Sequence, residues 1–583
     1  MPRGSRLDDA VVFALFLAVP LAAAPVFWDQ FTTVKWYVLE ALGAAWFLAE
    51  LWACGSAGWP GFLRRRRWAG LALAILVLGS SLRNGIGWAA PALLDRLSFV
   101  LLVLASFWYF RRNEGSTRWI VLATGVATGL VVVVGLAQVV GWRPLPALSA
   151  GDQRSAFFGN VNMAAQFLGF SAVLLMAKGP AAAESRVLEG LREALLALAF
   201  TYLCFLSCRS VLLALLVAVV PLAVRRQLAL KAAARTLGAA TLAILILLRL
   251  GSAPGSPPAF LSGLGLTPEK AASTSMRLDV WKATLALIRD HPLGVGSGNF
   301  GDAFIPYQLG LRAIQGGTVL FCTPHNEYLR SLAEEGAVFT ALAGALLLLL
   351  IRDLIGARET ELGISDRTAL LVAGGAFFAV EAFFQFPFGT AYGCLMAAVL
   401  LGLALATVEP PVLDGGAPPT DRRPSASWRA LGTIAAVVTF ALLACVVTSE
   451  WLFVNRNREL RAQDLACRLD PRDLPACVTA AWLHARNGEV HQARAGLVHV
   501  LQDSPYYYPA IRMLGEIAAA DGDRRGSCLY LWTYDQLFRG GSSVHSRLGT
   551  LCEGTPPAGL PAALMPYYGK MPLAERDGVR QPE

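Results

Sequence analysis

Long apolar runs are the feature that most constrains this chain. They recur through the first 450 of its 583 residues, and many reach or exceed the roughly 18 residues that a membrane-crossing helix needs. A helix suits the bilayer because it satisfies its own backbone hydrogen bonds there. Only 16% of the residues are charged, whereas ordinary soluble chains carry about 25%, so a water-soluble enzyme and a disordered chain are both excluded. The sequence predicts an all-α, polytopic helical membrane protein.

About 13 membrane spans follow from these runs. They lie near residues 10–28, 33–54, 68–83, 96–110, 118–141, 158–177, 192–208, 210–224, 236–251, 327–351, 367–386, 388–406 and 430–448. The first run imitates a secretory signal, but it is read as a span because a second run follows at once. With the N-terminus inside, the short arginine clusters all fall in the cytoplasm, as the positive-inside rule requires. These clusters are Arg64 to Arg67, Arg111 with Arg112, Arg225 with Arg226, and Arg422 with Arg423.

The topology divides the chain into regions of different character. The net charge of +9 is explained by the cytoplasmic clusters, so nucleic-acid binding is not predicted. The regions are a membrane core over 1–406 with a large periplasmic loop at 252–326, a cytoplasmic Pro/Gly linker at 407–429, a last span at 430–448, a periplasmic helical region at 449–553, and a disordered tail at 554–583.

The region after residue 449 shows an internal repeat. Asp470-Pro471 recurs as Ser504-Pro505, and Asn487-Gly488 recurs as Asp521-Gly522, both at an offset of 34 residues. This offset, with a helix-turn-helix pattern between the marks, resembles the tetratricopeptide repeat, in which stacked helix pairs bury one another. The sequence therefore predicts a second helical region outside the membrane.

The cysteines divide between the membrane and the exported side. Of ten cysteines, five lie on the exported side, where disulfides persist. A Cys467–Cys477 bridge across a helical hairpin is one pairing that this allows, although connectivity cannot be deduced from spacing. No cysteine pair has CxxC spacing with a histidine partner, so zinc is not predicted. The five exported cysteines are Cys322, Cys467, Cys477, Cys528 and Cys552.

His325 is the histidine in the most suggestive position. It lies in Thr323-Pro-His-Asn-Glu-Tyr, where the proline starts a helix at the external mouth of a span. Glu327 and Arg330 follow on the same helix. The competing interpretation is an interfacial histidine without a chemical role.

Three arginines lie on the exported side, which should be poor in basic residues. They are Arg154, Arg209 and Arg277. A guanidinium group at the membrane edge is costly unless it faces a cavity or a partner, and it binds phosphate oxygens in bidentate fashion. Histidine and arginines on one rim therefore indicate a site for a phosphorylated, membrane-embedded substrate. Snorkelling to lipid headgroups is the alternative for each arginine.

Two further polar features lie near this rim. Gly294-Val-Gly-Ser-Gly-Asn lacks the spacing of a nucleotide-binding loop and is interpreted as a flexible turn over the site. Glu381 and Gln385 lie at membrane depth, where they line a cavity or form an interhelical hydrogen bond.

At these residues the chain resembles the O-antigen ligase and polymerase superfamily of bacterial membrane glycosyltransferases. The resemblance extends over about residues 150–400, in family order and spacing. The family's Asn-Pro-Asn appears here as Asn160-Val-Asn162, and Cys208 precedes Arg209, but neither departure removes a charged group. The blocks are Arg154-Ser-Ala-Phe-Phe-Gly-Asn-Val-Asn-Met-Ala-Ala, Leu206-Ser-Cys-Arg-Ser, Arg277-Leu-Asp-Val-Trp, His291-Pro-Leu-Gly-Val-Gly-Ser-Gly-Asn-Phe, His325-Asn-Glu-Tyr-Leu and Gln385-Phe-Pro-Phe.

The resemblance implies a GT-C type fold and a role for each candidate residue. His325 would be the catalytic base or orienter of the acceptor hydroxyl. Arg209 and Arg277 would hold the donor diphosphate, with Arg154 assisting, and the supporting residues would be Asn162, Glu327 and Arg330. It also implies an inverting reaction without a metal or other cofactor.

The expected function is transfer of a glycan from a polyprenyl-diphosphate carrier to an acceptor hydroxyl on the periplasmic side of the bacterial inner membrane. An O-antigen ligase uses the lipid A core as acceptor, whereas an O-antigen or exopolysaccharide polymerase uses another lipid-linked unit. A transporter of lipid-linked sugars is a further alternative, but no half-to-half repeat is apparent. The repeat region would bind a protein partner.

Overall fold

The computed structural model describes residues 6–53, 60–82, 86–113, 117–142, 154–177, 186–224, 268–308, 321–357, 366–409 and 426–537, together with positions 238, 544, 548 and 552. Across these residues the chain forms 21 α-helices and a short 3₁₀ turn, with no strand. The prediction of an all-α protein is therefore confirmed. The predicted span at 236–251, the arginine pairs at 225–226 and 422–423, and the predicted tail at 554–583 fall almost entirely outside the described residues.

Within the described residues, nine helices precede residue 268. Their lengths follow the apolar runs, and caps or short polar links separate them. They are α1 (Arg6–Leu21), α2 (Thr32–Ala53), α3 (Gly61–Arg65), α4 (Arg67–Leu82), α5 (Ile86–Arg112), α6 (Arg118–Val139), α7 (Val161–Met176), α8 (Arg186–Leu206) and α9 (Arg209–Val224).

Seven helices follow up to the end of the membrane part. Within the described ranges, five helices (α5, α6, α13, α15 and α16) are long and apolar enough to cross a bilayer, and α4, α7, α9 and α14 are shorter apolar helices. The chain is thus a polytopic membrane protein. The seven helices are α10 (Pro268–Asp290), α11 (Phe300–Gln308), α12 (Glu327–Glu334), α13 (Gly336–Ala357), α14 (Asp366–Phe384), α15 (Ala391–Val408) and α16 (Ala426–Asn455).

The segment predicted as one span at 327–351 is divided into two helices. The polar α12 ends at Glu334, with Glu335 as its C-cap, and α13 begins at Gly336, whose φ is +87°. A Cβ at Gly336 would lie 2.5 Å from the carbonyl carbon of Leu293, so the turn needs glycine. The single-span prediction was wrong because only the apolar α13 has the composition of a membrane crossing.

Ion pairs join helix ends that the predicted topology assigns to the same side. Arg66, before α4, lies 2.8 Å from Asp353 near the end of α13. Arg112, at the end of α5, lies 2.5 Å from Asp8 of α1 and 2.8 Å from Glu50 of α2. Because those helix ends meet, the three ion pairs are compatible with the predicted directions in which these helices cross the membrane.

Close helix packing positions the membrane core. Helices α5 and α15, and likewise α9 and α14, pack along much of their lengths. Gly402 permits the first contact, because a Cβ there would lie 2.3 Å from the Cβ of Ser106. Phe170 of α7 packs on Phe377 of α14 with ring centroids 4.6 Å apart. This core carries the polar segments described below at one end.

The chain after the last span forms five further helices with an apolar core of their own. Consecutive helices pack on each other, and Gly488 and Gly522, 34 residues apart, adopt φ of +84° and +77° in equivalent turns. The region is helical as predicted, and its assignment to the tetratricopeptide family stays a prediction. The helices are α17 (Leu460–Leu469), α18 (Leu474–Arg486), α19 (Val490–Asp503), α20 (Tyr508–Ala520) and α21 (Arg524–Leu537).

Two disulfides cross-link this region. Cys467 and Cys477 form one, which confirms the predicted pairing. Cys528 and Cys552 form the other. Cys322 is a free, exposed thiol.

Candidate active site

Three residues other than glycine have a left-handed backbone in the described part of the chain. They are Ala156, Ser207 and His325, with φ of 51°, 56° and 52°. Such a conformation costs roughly 1–3 kcal/mol and persists only where the surroundings impose it, which happens most often at functional sites. Ala156 and Ser207 each lie two residues from a predicted site arginine, Arg154 and Arg209. Backbone strain therefore coincides with the predicted rim residues.

The His325 loop is held from both ends. Asn326 caps α12, because its side chain accepts a hydrogen bond of 3.0 Å from the backbone N–H of Leu329. The indole N–H of Trp281 donates to the carbonyl of Pro324 at 2.9 Å. The imidazole itself lies against Phe386, with ring centroids 5.4 Å apart. These contacts fix the ring between α10, α12 and the turn after α14.

Burial keeps the His325 imidazole neutral. Desolvation, reinforced by the nearby Arg277 charge, lowers the pKa of His325 to about 4. This lies below the value of about 6.5 for a solvated histidine. Its buried Nδ1 has no hydrogen-bond partner among the described residues. A neutral ring with an unpartnered nitrogen is ready to accept a hydrogen bond from a hydroxyl.

Arg277 lies near enough to this histidine for its charge to act on the imidazole. Its Nη1 donates to the carbonyl of Phe384 at 2.9 Å, which ties α10 to the end of α14. The guanidinium is partly buried, and this burial lowers its pKa, while the charge of the fully buried Glu381 opposes that effect. Helix α10 therefore presents a fixed cation to the site.

Glu327 and Arg330 brace the site from α12. The carboxylate of Glu327 accepts from the backbone N–H of Phe388 at 3.1 Å. Arg330 lies 3.5 Å from Glu327 and 3.4 Å from Glu334. These bonds hold the 386–390 turn against the helix that begins at His325. The supporting role expected of both residues stays a prediction.

Arg154, Arg209 and Asn162 lie before α7, at the start of α9 and in the first turn of α7. The carbonyl of Arg154 accepts from the Tyr202 hydroxyl at 2.5 Å, and its side chain is exposed. Arg209 is exposed as the first residue of α9. The N–H of Asn162 donates to the side chain of Asn160 at 2.8 Å in the first turn of α7. Arg277 thus acts on His325 through its charge, whereas these three residues lie on other loops and helix ends.

Lys35 is a site residue that the sequence interpretation missed. It is buried in α2, where its Nζ donates to the carbonyls of Ala22 and, at 2.7 Å, Phe157. The same ammonium lies 4.9 Å from the centre of the Phe158 ring. Lys35 thereby anchors the strained turn after Arg154. A lone lysine within an apolar run is the signal that would have identified it.

A polar network crosses the helices below this turn. Thr390 donates to Gln166 at 2.7 Å, and Gln385 donates to Ser210 at 3.3 Å. The second of these is the interhelical hydrogen bond that was one of two predictions for Gln385. A small cavity opens beside the network and is lined in part by Gln166, Thr390 and Lys35.

This arrangement combines a proton acceptor with fixed cations. A neutral imidazole can take a proton from a hydroxyl, and a buried arginine can stabilise an anion formed nearby. In the described ranges, no three His, Cys, Asp or Glu side chains are grouped to hold a metal ion. These residues can support a reaction in which a proton is accepted and negative charge develops nearby.

Comparison with known proteins identifies the same part of the chain. Residues 194–348 match the model of the O-antigen ligase family, a stretch that includes Arg209, Arg277 and His325. A search of the curated proteins found no matching relative. Residues 194–348 of this chain are therefore similar to the O-antigen ligase family.

Proposed function

We propose that the protein transfers a glycan from a polyprenyl-diphosphate carrier to an acceptor hydroxyl at the periplasmic face of the inner membrane. The observation that carries the proposal is the pairing of neutral His325 with Arg277 at the mouth of a membrane bundle. The family match over 194–348 covers both residues. The favoured acceptor is the lipid A core, which makes the protein an O-antigen ligase within a GT-C type fold.

The proposed reaction breaks one bond and forms another at the anomeric carbon. The acceptor oxygen attacks this carbon, and the bond to the diphosphate oxygen breaks with its electron pair leaving on the lipid diphosphate. His325 takes the proton from the acceptor hydroxyl, because its imidazole is neutral and its Nδ1 is unpartnered among the described residues. Attack from the face opposite the leaving group inverts the anomeric centre.

The arginines stabilise the leaving group. Extra negative charge develops on the diphosphate as the bond breaks, and a cation that is already fixed does not have to reorganise. Arg277 is fixed by its bond to Phe384. We assign Arg209 to the same diphosphate, with assistance from Arg154 and Asn162, since all three lie where strained or capped backbone meets the rim.

The proposed orientation places His325 outside and the Arg66–Asp353 ion pair inside. Two exposed arginines allow a matched test, because their side chains are 75% and 68% exposed at Arg289 and Arg352. In a Cys322→Ser background, a membrane-impermeant maleimide added to spheroplasts should label Arg289→Cys but not Arg352→Cys. Labelling of Arg352→Cys alone would reverse the topology and exclude a periplasmic site.

The direct test uses the purified chain in nanodiscs. Lipid-linked glycan and lipid A core should give a glycosylated core and free polyprenyl diphosphate, and the reaction should proceed in EDTA if no metal takes part. Glycan that crosses a sealed vesicle without transfer would instead support the transporter alternative. His325→Ala distinguishes enzymatic transfer from contamination.

The acceptor separates ligase from polymerase, since both use the same donor chemistry. A deletion strain that accumulates polymer beside an uncapped lipid A core identifies a ligase. Short glycans of a single repeat unit identify a polymerase of O-antigen or exopolysaccharide. The donor site described above serves either acceptor.

A further inference from the structure

The helical region after the last span touches the membrane part through an arginine. Arg472 lies in the loop between α17 and α18, and its Nη2 donates to the carbonyl of Gly298 at 2.8 Å. The fit is close, because a Cβ at Gly298 would lie 2.8 Å from the same nitrogen, and Gly298 has a φ of +73°. Arg472 therefore holds the glycine-rich turn at 294–299.

A second contact supports the same segment one turn later. The hydroxyl of Ser504 donates to the carboxylate of Asp302 at 2.9 Å. Burial raises the pKa of Asp302, while the Ser504 hydrogen bond and the Arg472 charge favour the ionised form. Ile305, on the same helix as Asp302, packs into the apolar core of the C-terminal helices. The α11 segment is thus part of both regions.

The glycine-rich turn in turn braces α12. The N–H groups of Val295 and Gly296 donate to the carbonyls of Ala333 and Glu334 at 2.8 and 2.9 Å. The hydroxyl of Ser297 donates to the carboxylate of Glu335 at 2.7 Å. Because α12 begins beside His325, contacts run without interruption from Arg472 to the candidate base.

The loop that carries Arg472 is itself constrained. The Cys467–Cys477 disulfide closes it at both ends, and the side chain of Asp470 accepts from the N–H of Arg472 at 3.0 Å. A loop that is closed by a disulfide and places one arginine against a turn of another region has the features of a fixed support.

We propose that Arg472 is a positioning residue: through the turn at 294–299 it sets the placement of α12 and His325, so that the C-terminal helices are a working part of the site. The activity part of this inference rests on the proposed function. The contact itself does not, since it can be followed by amide exchange in the absence of any substrate.

The test compares the full-length Arg472→Ala and Arg512→Ala variants in nanodiscs. Arg512 is a matched control, because it pairs with Glu516 within α20, at 2.9 Å. Arg472→Ala should speed hydrogen exchange in peptides covering 293–299 and 326–334 and should lower kcat more than KM, by about tenfold to a hundredfold for a site misplaced by an ångström. Arg472→Lys, which keeps a donor for Gly298, should restore part of both. Arg512→Ala should change neither.

The disulfides provide a second matched pair. Cys467→Ser with Cys477→Ser should increase exchange at 293–299, whereas Cys528→Ser with Cys552→Ser should leave it unchanged. If Arg472→Ala does not fold, Ser504→Ala tests the same support through Asp302. Exchange at 293–299 and 326–334 that matches Arg512→Ala would overturn the proposal, even if the wild type transfers glycan. Increased exchange in a protein without transfer activity would retain the contact and reject the proposed function alone.

Discussion

Arg277 binds the carbonyl of Phe384 through Nη1, 2.9 Å away, at the C-terminal end of α14. A helix C-terminus carries partial negative charge, so this end attracts a guanidinium. The bond uses one of the five N–H donors of the arginine and fixes the plane of the group. The remaining donors can then face a ligand with little loss of side-chain freedom.

Replacing Arg277 with lysine should abolish most transfer while the fold is kept. The lysine keeps the charge but not the planar fork that binds two oxygens and a carbonyl together. We expect kcat/KM for lipid-linked donor to fall by about 10²-fold, as for removal of one preorganised charge-stabilising donor. Arg289→Lys, on an exposed face of α10, is the control. A rate within about twofold of the wild type would limit Arg277 to lipid or structural contacts.

Gly135 of α6 allows a test of the hydrogen bond that Tyr202 makes to the carbonyl of Arg154. A Cβ there would lie 2.0 Å from the ring of Tyr202, whose hydroxyl binds the carbonyl of Arg154. Gly135→Ala should displace the ring and reduce transfer. Gly129→Ala, in the same helix, should be neutral, because its nearest contact would be 4.0 Å away. Equal activity of the two variants in a transfer assay would show that the Tyr202 bond is dispensable.

Removing the N-cap of α12 should lower both the stability of the protein and its transfer activity. The Asn326 side chain accepts from the N–H of Leu329, and removing an N-cap acceptor costs about 1 kcal/mol. Asn326→Ala should therefore lower the melting temperature slightly and reduce kcat, because the cap adjoins His325. Asn326→Asp, which keeps the acceptor, should preserve both. Reduced kcat in Asn326→Asp with an unchanged melting temperature would indicate direct contact of the amide with substrate.

The length of the apolar runs was sufficient to predict most of the described membrane helices, since length and hydropathy decide whether a segment crosses a bilayer. It failed at residues 327–351, where a polar helix and a glycine turn precede the span. That break depends on a contact between Gly336 and Leu293, which are 43 residues apart. Local sequence does not reveal such a contact.

The charged site residues were predicted from their chemistry, but their supports were not. His325 and Arg277 were recognisable as polar groups at the membrane edge. The Lys35 anchor and the Arg472 contact depend on carbonyl groups of distant segments, Phe157 and Gly298. Every residue has a backbone carbonyl, so the sequence alone does not indicate which carbonyl accepts the hydrogen bond.

The pH dependence of transfer should report the burial of His325. Burial and Arg277 lower its pKa to about 4 in the free protein, so the neutral base is present above that value and lost as the pH falls through it. We expect kcat/KM, which reports the free enzyme, to be flat from pH 8 down to about 5 and to fall near 4. The bound diphosphate adds negative charge beside the imidazole and offsets Arg277, so the acid limb of kcat should lie at higher pH than that of kcat/KM.

Two variants separate the roles open to this histidine. His325→Ala should reduce kcat by roughly 10²- to 10⁴-fold if the imidazole takes the proton. Donor affinity should change little, because the diphosphate is assigned to arginines. If His325 only orients the acceptor, His325→Gln should keep much of the activity and show a flat pH profile, without the acid limb of the wild type near 4. The measurement is initial rate against pH with purified protein and synthetic lipid-linked donor. A wild-type kcat/KM that falls with an acid limb at about 6.5, the pKa of a solvated histidine, would contradict a buried imidazole. Loss of donor binding in His325→Ala would place the ring in the diphosphate pocket instead.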